Sequence, residues 1–426
     1  MPPDTDLAEA MGSTISPKRV LLLTNSEYGQ ANVFLATSYA LLTLEDEDVE
    51  VHFASFPPVK PLVSTTSDHA QQDRPGARPI IFHPIDGLDM VSAWSRPEIV
   101  AEQMVALSNS SLLPLVNEIR RTLVLLKVTL PWTGPEFIQI MHSITTTIQT
   151  VQPAIIAVDP AFSPALTALR HLHTPFIILS PNTIKDFAMP LQPNAEALWK
   201  YPCLGTPYPY PLPAVYTPHN IFLILLSLAI ALCDPTRRNL TAHLKTHYHP
   251  EVKLTTLSDL SLHPEGLGAK FLVANLPEIE FPLRVVPPHV VPCGPMLRPF
   301  RPVGEVDAEL AGWLREGRVV YVNLGTHVVF DEGMVGEMAG AVRVLLDYVR
   351  GQQGEGVRVL WKIPAGGGEN RGVGEVLGRV LGKELEGGVV RVVEWIQAEP
   401  VAVLESGSVV CAVHHGGANS FLESVW

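Results

Sequence analysis

Short runs of leucine and β-branched residues alternate with longer stretches of helical periodicity along the first part of the chain. Such apolar runs are typical of strands buried on both faces of a parallel sheet, with helices as the crossover connections. The predicted strands are Arg19–Thr24, Val49–Ser55, Pro153–Val158 and Pro175–Leu179, and the predicted helices are Ala31–Leu44, Leu112–Leu126, Phe137–Thr150 and Ala165–Leu172. The pattern therefore predicts an α/β domain.

A second alternating set follows further along the chain. Its predicted strands are Arg318–Leu324, Val357–Ile363, Val389–Val393 and Val409–Val413, and its predicted helices are Met334–Arg350, one through Val401–Leu404 and one that opens at Ala418. Two successive halves of this kind predict two facing doubly wound domains, whose ligands collect at the carboxyl ends of the strands. Because such a nucleotide-binding domain usually has about six strands, we expect the second domain to be incomplete.

One segment departs from this alternation. Tyr201–Pro218 is rich in proline and is expected to be an irregular loop that leads into the apolar helix Ile221–Leu232. A helix needs about 20 apolar residues to cross a bilayer, so this run is interpreted as too short to span one. The loop and helix either line a pocket for a hydrophobic ligand or take part in ordinary core packing.

Composition then locates the boundary between the two halves. Of the 39 prolines, 37 lie at or before Pro302, whereas 22 of the 31 glycines lie after it. The change falls in residues 293–307, which show neither helical nor strand periodicity and are interpreted as an interdomain linker. The expected organisation is a disordered tail over 1–18, a first domain over 19–292 and a second domain over 308–426.

Charge and cysteine content narrow the class of protein. The 43 acidic and 30 basic residues give a formal net charge of −13, which disfavours non-specific binding to nucleic acid or to an anionic membrane surface. Four widely separated cysteines suggest neither a disulfide framework nor a zinc ribbon. The start of the chain lacks the basic and apolar regions of a secretory signal. These features predict a cytoplasmic protein, and they leave its oligomeric state open.

The densest candidate chemistry follows the predicted strand Val409–Val413, where a glycine turn leads into a helix. Such a junction gathers unpaired backbone N–H groups and the positive end of a helix dipole, which suits an anion such as a diphosphate. His415 can add a hydrogen-bond donor or a positive charge, and Gly417 allows close approach of the backbone. Asn419 and Ser420 can cap the helix or donate to phosphate oxygens.

Two further side chains can recognise a nucleoside. Glu423 is expected on the same side of the helix as Ser420, where its carboxylate can accept hydrogen bonds from two ribose hydroxyls. Trp395, near the end of the preceding strand, offers a flat face on which a base can stack. Each of these residues alone also fits a tight turn, a helix cap or a core position, so it is their order that favours a nucleotide site.

This segment resembles the C-terminal signature of the UDP-dependent glycosyltransferases of the GT-B fold, in which a Trp and a Gln precede His-x-Gly-x-Asn-Ser-x-x-Glu. The chain matches the spacing of the His-to-Glu part, whereas Gln397 lies one residue too close to Trp395 for its role to be transferred. Val319–Thr326 looks like the first strand of the family's second domain, and Leu272–Pro282 and Val290–Met296 look like the approach to its linker. Among the members of this family, the fungal ones resemble the chain most in the general character of their sequences.

The resemblance implies two Rossmann-like domains and an inverting hexosyltransferase of secondary metabolism that needs neither a metal nor another cofactor. It implies a UDP-sugar as donor partner, with Trp395 on the uracil and Glu423 on the ribose. The residues implied at the diphosphate are Thr326, His415, Gly417, Asn419 and Ser420.

For the acceptor, the family uses a histidine after the first strand as base and an aspartate that orients it. Asp159 matches the aspartate, with a helix cap as its structural alternative, whereas Gln30 occupies the histidine position and cannot act as a base. Glu27 or Tyr28 is the candidate replacement, and we take Glu27 as the catalytic candidate. The apolar helix favours a small hydrophobic acceptor and leaves peripheral contact with a membrane open.

The sequence supports two hypotheses. One is an active glycosyltransferase that moves a hexose from a UDP-sugar to a small hydrophobic acceptor. The other is a truncated, catalytically inactive relative that binds only a nucleotide or a hydrophobic ligand, because the chain ends before the pair of residues with which the family grips the donor sugar. A nucleotide-sugar epimerase fits Trp395 and the Asn-Ser-x-x-Glu spacing less well.

Overall fold

The computed structural model describes residues 17–44, 48–100, 119, 124, 128–204, 206, 208–325, 328, 330–351, 356–364 and 371–426. The chain divides into two compact units, Met1–Met296 and Leu297–Trp426. This division falls within residues 293–307, for which the sequence predicts a linker. Each unit has its own parallel sheet and its own hydrophobic core.

The first unit contains a seven-stranded parallel sheet in the order β3-β2-β1-β4-β5-β6-β7. Its strands are β1 Lys18–Leu23, β2 Val49–Ser55, β3 Ile81–Pro84, β4 Ile155–Val158, β5 Ile177–Ser180, β6 Phe271–Val273 and β7 Val290–Pro292. The sequence predicts β1, β2, β4 and β5, whereas β3, β6 and β7 are too short to show a clear pattern. Both segments interpreted as the approach to the linker overlap strands of this sheet, β6 and β7.

Helices of the first unit cover the sheet and connect its strands. They are α1 Tyr28–Thr43, α2 Lys60–Asp73, α3 Met90–Trp94, α4 Gly134–Val151, α5 Ser163–His171, α6 Ile184–Ala188, α7 Glu196–Trp199, α8 Thr217–Cys233, α9 Pro235–His247 and α10 Leu257–Leu262. Helix α4 begins with a capping box between Thr133 and Glu136, and its apolar face packs into the core through Ile140 and Ile144. Of the predicted helix Leu112–Leu126, residues 119 and 124 are helical and the others lie outside the described residues.

The second unit contains a four-stranded parallel sheet in the order β10-β9-β8-β11. Its strands are β8 Arg318–Asn323, β9 Val357–Lys362, β10 Val390–Val393 and β11 Val409–His414. Its helices are α11 Val303–Val306, α12 Ala308–Leu314, α13 Glu332–Gly351, α14 Arg371–Glu386, α15 Pro400–Leu404 and α16 Ala418–Val425. All four strands match predicted ones, whereas the glycine-rich α14 has no counterpart in the prediction.

Three predicted boundaries were wrong. Lys18 belongs to β1 and pairs with Val49, so it is not part of a tail, and residues 1–16 of the predicted tail lie outside the described part. Helix α8 begins at Thr217, inside the segment expected to be irregular, because a proline is tolerated in the first turn of a helix. The predicted linker contains the helical turn α11, whose Val303 is buried in the core of the second unit.

One helical segment of the described chain, Ala214–His247, is long and apolar enough to cross a membrane by length and composition. The sequence prediction excluded a span because it considered only Ile221–Leu232. The segment is not one straight helix, since Asp234, with a ψ of 117°, separates α8 from α9. Of its apolar window, 11% is buried, so this segment is not the core helix of a globular unit.

Candidate functional site

The carboxyl ends of all four strands of the second sheet meet at one edge. Asn323 of β8 pairs with both Lys362 of β9 and His414 of β11, and Lys362 pairs with Val393 of β10. Residues that directly follow these strands therefore lie near one another, at the edge where parallel sheets bind ligands. The structure thus brings Trp395, which follows β10, and the turn after β11 to the same edge.

Two glycines leave room for the imidazole of His415. A Cβ atom added to Gly325 would lie 2.9 Å from Cε1 of His415, and one added to Gly417 would lie 2.3 Å from Nε2. Gly325 and Gly416 also have φ values of +86° and +77°, in the left-handed region that favours glycine. The ring of His415 is therefore held against two glycine backbones, and a larger residue at either position would displace it.

Helix α16 begins at this turn without a side-chain cap. Gly417 is its N-cap residue, and the N–H of Phe421 donates to the Gly417 carbonyl oxygen at 2.9 Å. In an α-helix the N–H groups of the first turn have no acceptor in a preceding turn and point out of the N-terminus. Together with the positive end of the helix dipole and His415, they form a site suited to an anion.

Glu423, one turn into α16, lies in an unusual electrostatic environment. Burial, reinforced by the negative charge of Glu399, raises the pKa of Glu423 to about 7, and Arg298 opposes this shift. Arg298 itself forms an ion pair with Glu399. Glu423 therefore changes charge near neutral pH, and only its ionised form has both oxygens available as hydrogen-bond acceptors.

The indole of Trp395 is largely exposed but is held by a cation. Its side chain is 64% exposed, and Nζ of Lys362 lies 4.2 Å from the centroid of the ring. This cation–π contact orients the ring while most of it stays open to a stacking partner. Lys362 is buried at the carboxyl end of β9, and burial lowers its pKa. Sequence reasoning missed this lysine, although its place at the end of a strand was the available signal.

Thr326, the remaining residue predicted for the diphosphate, lies outside the described residues. Its neighbour Gly325 lies against the ring of His415. In the described part of the chain, no group of three or more His, Cys, Asp or Glu side chains could hold a metal ion.

In the first unit, Asp159 lies where the strand order of the sheet reverses, between β1 and β4. Such a switch point is the usual ligand edge of a doubly wound sheet. Asp159 is fully buried and accepts hydrogen bonds from the Thr24 hydroxyl (3.1 Å), the Asn25 side-chain amide (2.6 Å) and the Ala161 N–H (2.7 Å). Burial nevertheless raises its pKa to about 7. Asp159 therefore fastens the loop after β1.

The other acceptor-side candidates lie at the start of α1. Glu27 is the N-cap residue of this helix, and its carboxylate accepts a hydrogen bond from the Gln30 N–H at 2.7 Å. The side chain of Gln30 donates to Oδ1 of Asn182 at 3.4 Å, and its own Oε1 is buried without a hydrogen-bond partner among the described residues. The closest amide partner of Asp159 is Asn25, which sequence reasoning missed despite its position directly after a strand.

Comparison with known proteins identifies proteins that are similar to this chain in sequence or in fold. No protein-family model matches the chain. Glycosyltransferase sdnJ of Sordaria araneosa is 31% identical over 422 residues, which cover 96% of this chain and 77% of sdnJ. UGT71G1 of Medicago truncatula, solved with UDP-glucose, matches with a TM-score of 0.56 and 15% identity over 96% of this chain and 78% of its own. A UDP-glucosyltransferase from Polygonum tinctorium matches with a TM-score of 0.54 and 18% identity over 97% and 79%.

Two parallel α/β sheets in succession, together with the similarity to these solved structures, define the fold of the chain as GT-B. The identity to sdnJ extends over nearly the whole chain. The chain therefore belongs to the glycosyltransferases, and the resemblance and fold class predicted from the sequence are confirmed. The solved structures bear on the fold alone, because their sequence identities are low.

Proposed function

We propose that this glycosyltransferase moves a hexose from a UDP-sugar to a hydroxyl group of a small hydrophobic acceptor. The observation that carries the donor half is the imidazole of His415 held against Gly325 and Gly417, beside the N-terminus of α16. These donors suit a diphosphate that gains negative charge as the bond to the sugar breaks. The structural relatives include proteins solved with UDP-glucose and with UDP, which supports a uridine nucleotide.

The remaining donor residues have roles that follow from their positions. Trp395 would stack on the uracil while Lys362 holds the indole, and Glu423 would accept hydrogen bonds from the ribose. Backbone N–H groups, the helix dipole and His415 would stabilise the leaving diphosphate without a metal. We assign Thr326, Asn419 and Ser420 to the diphosphate as well.

In the reaction, the acceptor oxygen forms a bond to the anomeric carbon while the bond from that carbon to UDP breaks. The electron pair leaves with UDP, and attack from the opposite face inverts the anomeric configuration through an oxocarbenium-like transition state. The proton of the acceptor hydroxyl needs a base, which Gln30 cannot supply. We propose Glu27 as this base, with Asp159 holding the loop that carries it through Asn25.

The proposal of a hydrophobic acceptor is supported by the aromatic side chains of the proline-rich segment Tyr201–Pro218. The ring of Tyr208 stacks on Tyr216 at 4.8 Å between centroids, and Tyr210 meets Phe281 edge-on at 4.9 Å. The Polygonum relative glucosylates indoxyl, an aromatic acceptor. We expect the protein to act in the cytoplasm, since its four cysteines form no disulfide bond.

Calorimetric titration with UDP tests the donor site. The wild-type protein should bind UDP, and His415→Ala and Glu423→Ala should each weaken binding about tenfold, the loss of about 1.4 kcal/mol of interaction. Val425→Ala serves as the matched control, because this exposed residue lies on the same helix. Absence of UDP binding by the wild type, or wild-type affinity for UDP in both site variants, would refute the proposed site.

Release of UDP in the presence of hydrophobic acceptors tests the transfer reaction separately. Glu27→Gln should abolish turnover and leave UDP affinity unchanged, because Glu27 lies in the first unit and the nucleotide residues lie in the second. Unchanged turnover in this variant would exclude Glu27 as the base. Binding of UDP without any transfer by the wild type would favour the second candidate, a nucleotide-binding relative without activity, which the glutamine at position 30 favours.

A further inference from the structure

Helix α8, Thr217–Cys233, exposes a continuous apolar stripe. It contains no Asp, Glu, Lys or Arg, and its buried residues are Asn220 and Leu223. The stripe consists of four side chains three or four positions apart, which therefore share one face: Phe222 (49% exposed), Leu225 (50%), Leu228 (40%) and Leu232 (72%). Exposed apolar surface of this extent is unfavourable in water and marks an interaction site.

The beginning of α8 is fastened to the first unit by a buried amide. The side chain of Asn220 accepts a hydrogen bond from the Cys203 N–H at 2.7 Å. It also donates to the carbonyl oxygens of Leu198 at 3.0 Å and Tyr201 at 2.9 Å. Because these are buried hydrogen bonds, the first turn of α8 cannot leave the unit without exposing unpaired polar groups.

The chain that follows α8 returns to the same unit. Leu240 and Leu244 of α9 are buried in the core of the first unit, and Arg237 pairs with Asp259 at 2.8 Å. The 17 residues of α8 extend over about 26 Å, less than the roughly 30 Å of a bilayer core. A helix with both flanks packed on one globular unit can lie along a membrane surface but cannot carry the chain across the membrane.

Positive charge lies on the helix that follows the apolar stripe, after its N-cap residue Asp234. Arg238 and Lys245 are exposed on α9 and, being seven positions apart, share a face of that helix. The guanidinium of Arg238 donates to the carbonyl oxygen of Cys233, which places it at the end of α8. Helix α9 contains no acidic residue, although the whole chain has a formal net charge of −13. An apolar helix next to a basic one is typical of segments that bind anionic lipid surfaces.

We propose that helix α8 attaches this protein to the surface of anionic membranes, with its apolar stripe in the interfacial region and Arg238 and Lys245 on the lipid phosphates. A second copy of the chain suits this surface less well, because pairing two such faces would bring like charges together. The stripe would enter the boundary between head groups and acyl chains, where the lost water contact of its four side chains favours binding. The argument for this membrane attachment does not depend on the identity of the sugar donor or the acceptor.

Flotation of the full chain with lipid vesicles tests the proposal. The wild type should float with vesicles of phosphatidylcholine and phosphatidylserine and much less with phosphatidylcholine alone, and added salt should weaken the association. The double variant Leu225→Glu/Leu228→Glu should lose binding to both kinds of vesicle. Arg238→Glu/Lys245→Glu should lower the bound fraction on anionic vesicles several-fold, since each cation near such a surface contributes to attraction.

The control places the same charges on another exposed apolar surface. Val344 and Tyr348 on α13 are 69% and 66% exposed, and Val344→Glu/Tyr348→Glu should bind vesicles as the wild type does. Circular dichroism of each variant should show the wild-type spectrum and melting temperature, since all the substituted side chains are exposed. Failure of the wild type to float, or equal loss in the α13 variant, would overturn the proposal. So would a wild-type dimer, seen by light scattering, that Leu225→Glu/Leu228→Glu converts to a monomer.

Discussion

Two carboxyl groups, Asp159 in the first unit and Glu423 in the second, have pKa values that burial raises to about 7. Their surroundings differ. Hydrogen bonds from the Ala161 N–H and from the loop after β1 limit the rise in the pKa of Asp159, to which the charge of Glu27 adds. At Glu423 the charge of Glu399 adds to the rise in the pKa, and Arg298 opposes it. Asp159 is enclosed by protein donors, and Glu423 adjoins the proposed nucleotide site. These environments favour a structural task for the first and ligand binding for the second.

The pKa of Glu423 predicts a pH-dependent affinity for uridine. Below about pH 7 the carboxyl group is protonated and is a poorer acceptor for ribose hydroxyls, so affinity should rise about tenfold between pH 6 and pH 8. Uridine is the suitable probe because, unlike UDP, it has no phosphate that titrates in this range. Glu423→Gln should bind more weakly and lose this dependence, measured by calorimetry at several pH values. Identical pH profiles for the two proteins would contradict the assignment.

Sequence reasoning found both carboxyl residues but could not establish their protonation. Glu423 was found by its spacing from Ser420, and Asp159 by its position after a strand. Their pKa values depend on burial and on Glu399, Arg298 and Asn25. These neighbours are up to 134 residues away in sequence from the groups that they influence, so only the folded chain shows the effect.

At the scale of elements, the turn between β11 and α16 depends on the fit of one imidazole between two glycines. Gly417 has a φ of −62°, which any residue can adopt, so its requirement is steric rather than conformational. The added Cβ would lie 2.3 Å from His415, far closer than side-chain contacts allow. The glycine and the histidine are therefore expected to act as one unit.

This coupling makes a prediction for a double-mutant cycle. Gly417→Ala should weaken UDP binding about tenfold by displacing His415, yet have little further effect in a His415→Ala background, because the clashing ring is then absent. Gly312→Ala on α12 is the matched control, since a Cβ there meets open space. Calorimetric titration of the wild type, the two single variants and the double variant measures the coupling energy. Additive effects would show that the two residues act independently.

The elements themselves were predictable where their patterns are strong. The buried strands β1 and β8 are continuous apolar runs, and α4 has both an apolar face and a capping box. Strand β6 has three residues and so shows no decisive periodicity. In α14 the buried Val373, Val376, Leu377 and Leu381 do recur at helical spacing, and the sequence prediction missed this apolar face among the glycines and charged residues of the segment. Helix α8 was predicted, but its exposure was not, because an apolar sequence normally indicates burial.

At the scale of the whole molecule, the chain divides into two compact units with separate sheets. The proposed acceptor residues Glu27 and Asp159 belong to the first unit, and the proposed nucleotide residues belong to the second. This assignment follows the order of the two α/β halves in the sequence. The stability of the molecule also depends on contacts between segments that are far apart in the sequence. The hydrogen bonds of Asp159 with Thr24 and Asn25 are the clearest case.

Burial of Asp159 predicts a fall in stability as the pH rises. The folded state retains the proton until about pH 7, whereas an unfolded aspartate loses it near pH 4, so this contribution is complete below pH 4 and is lost through pH 7. Between pH 5 and pH 7 the wild type should lose up to about 3 kcal/mol of unfolding free energy relative to Asp159→Asn. Urea unfolding of both proteins across this range measures the difference. A constant difference would contradict the raised pKa.

The sequence by itself determined the alternation of strands and helices, the change in composition near Pro302 and the spacing from His415 to Glu423. These are local properties, set by residue type and by distance along the chain. Tertiary structure alone decided that Lys362 contacts the ring of Trp395, that Asn25 binds Asp159 and that α8 presents its leucines to solvent. Contacts between distant segments, and the burial that shifts a pKa, arise only when the elements pack together.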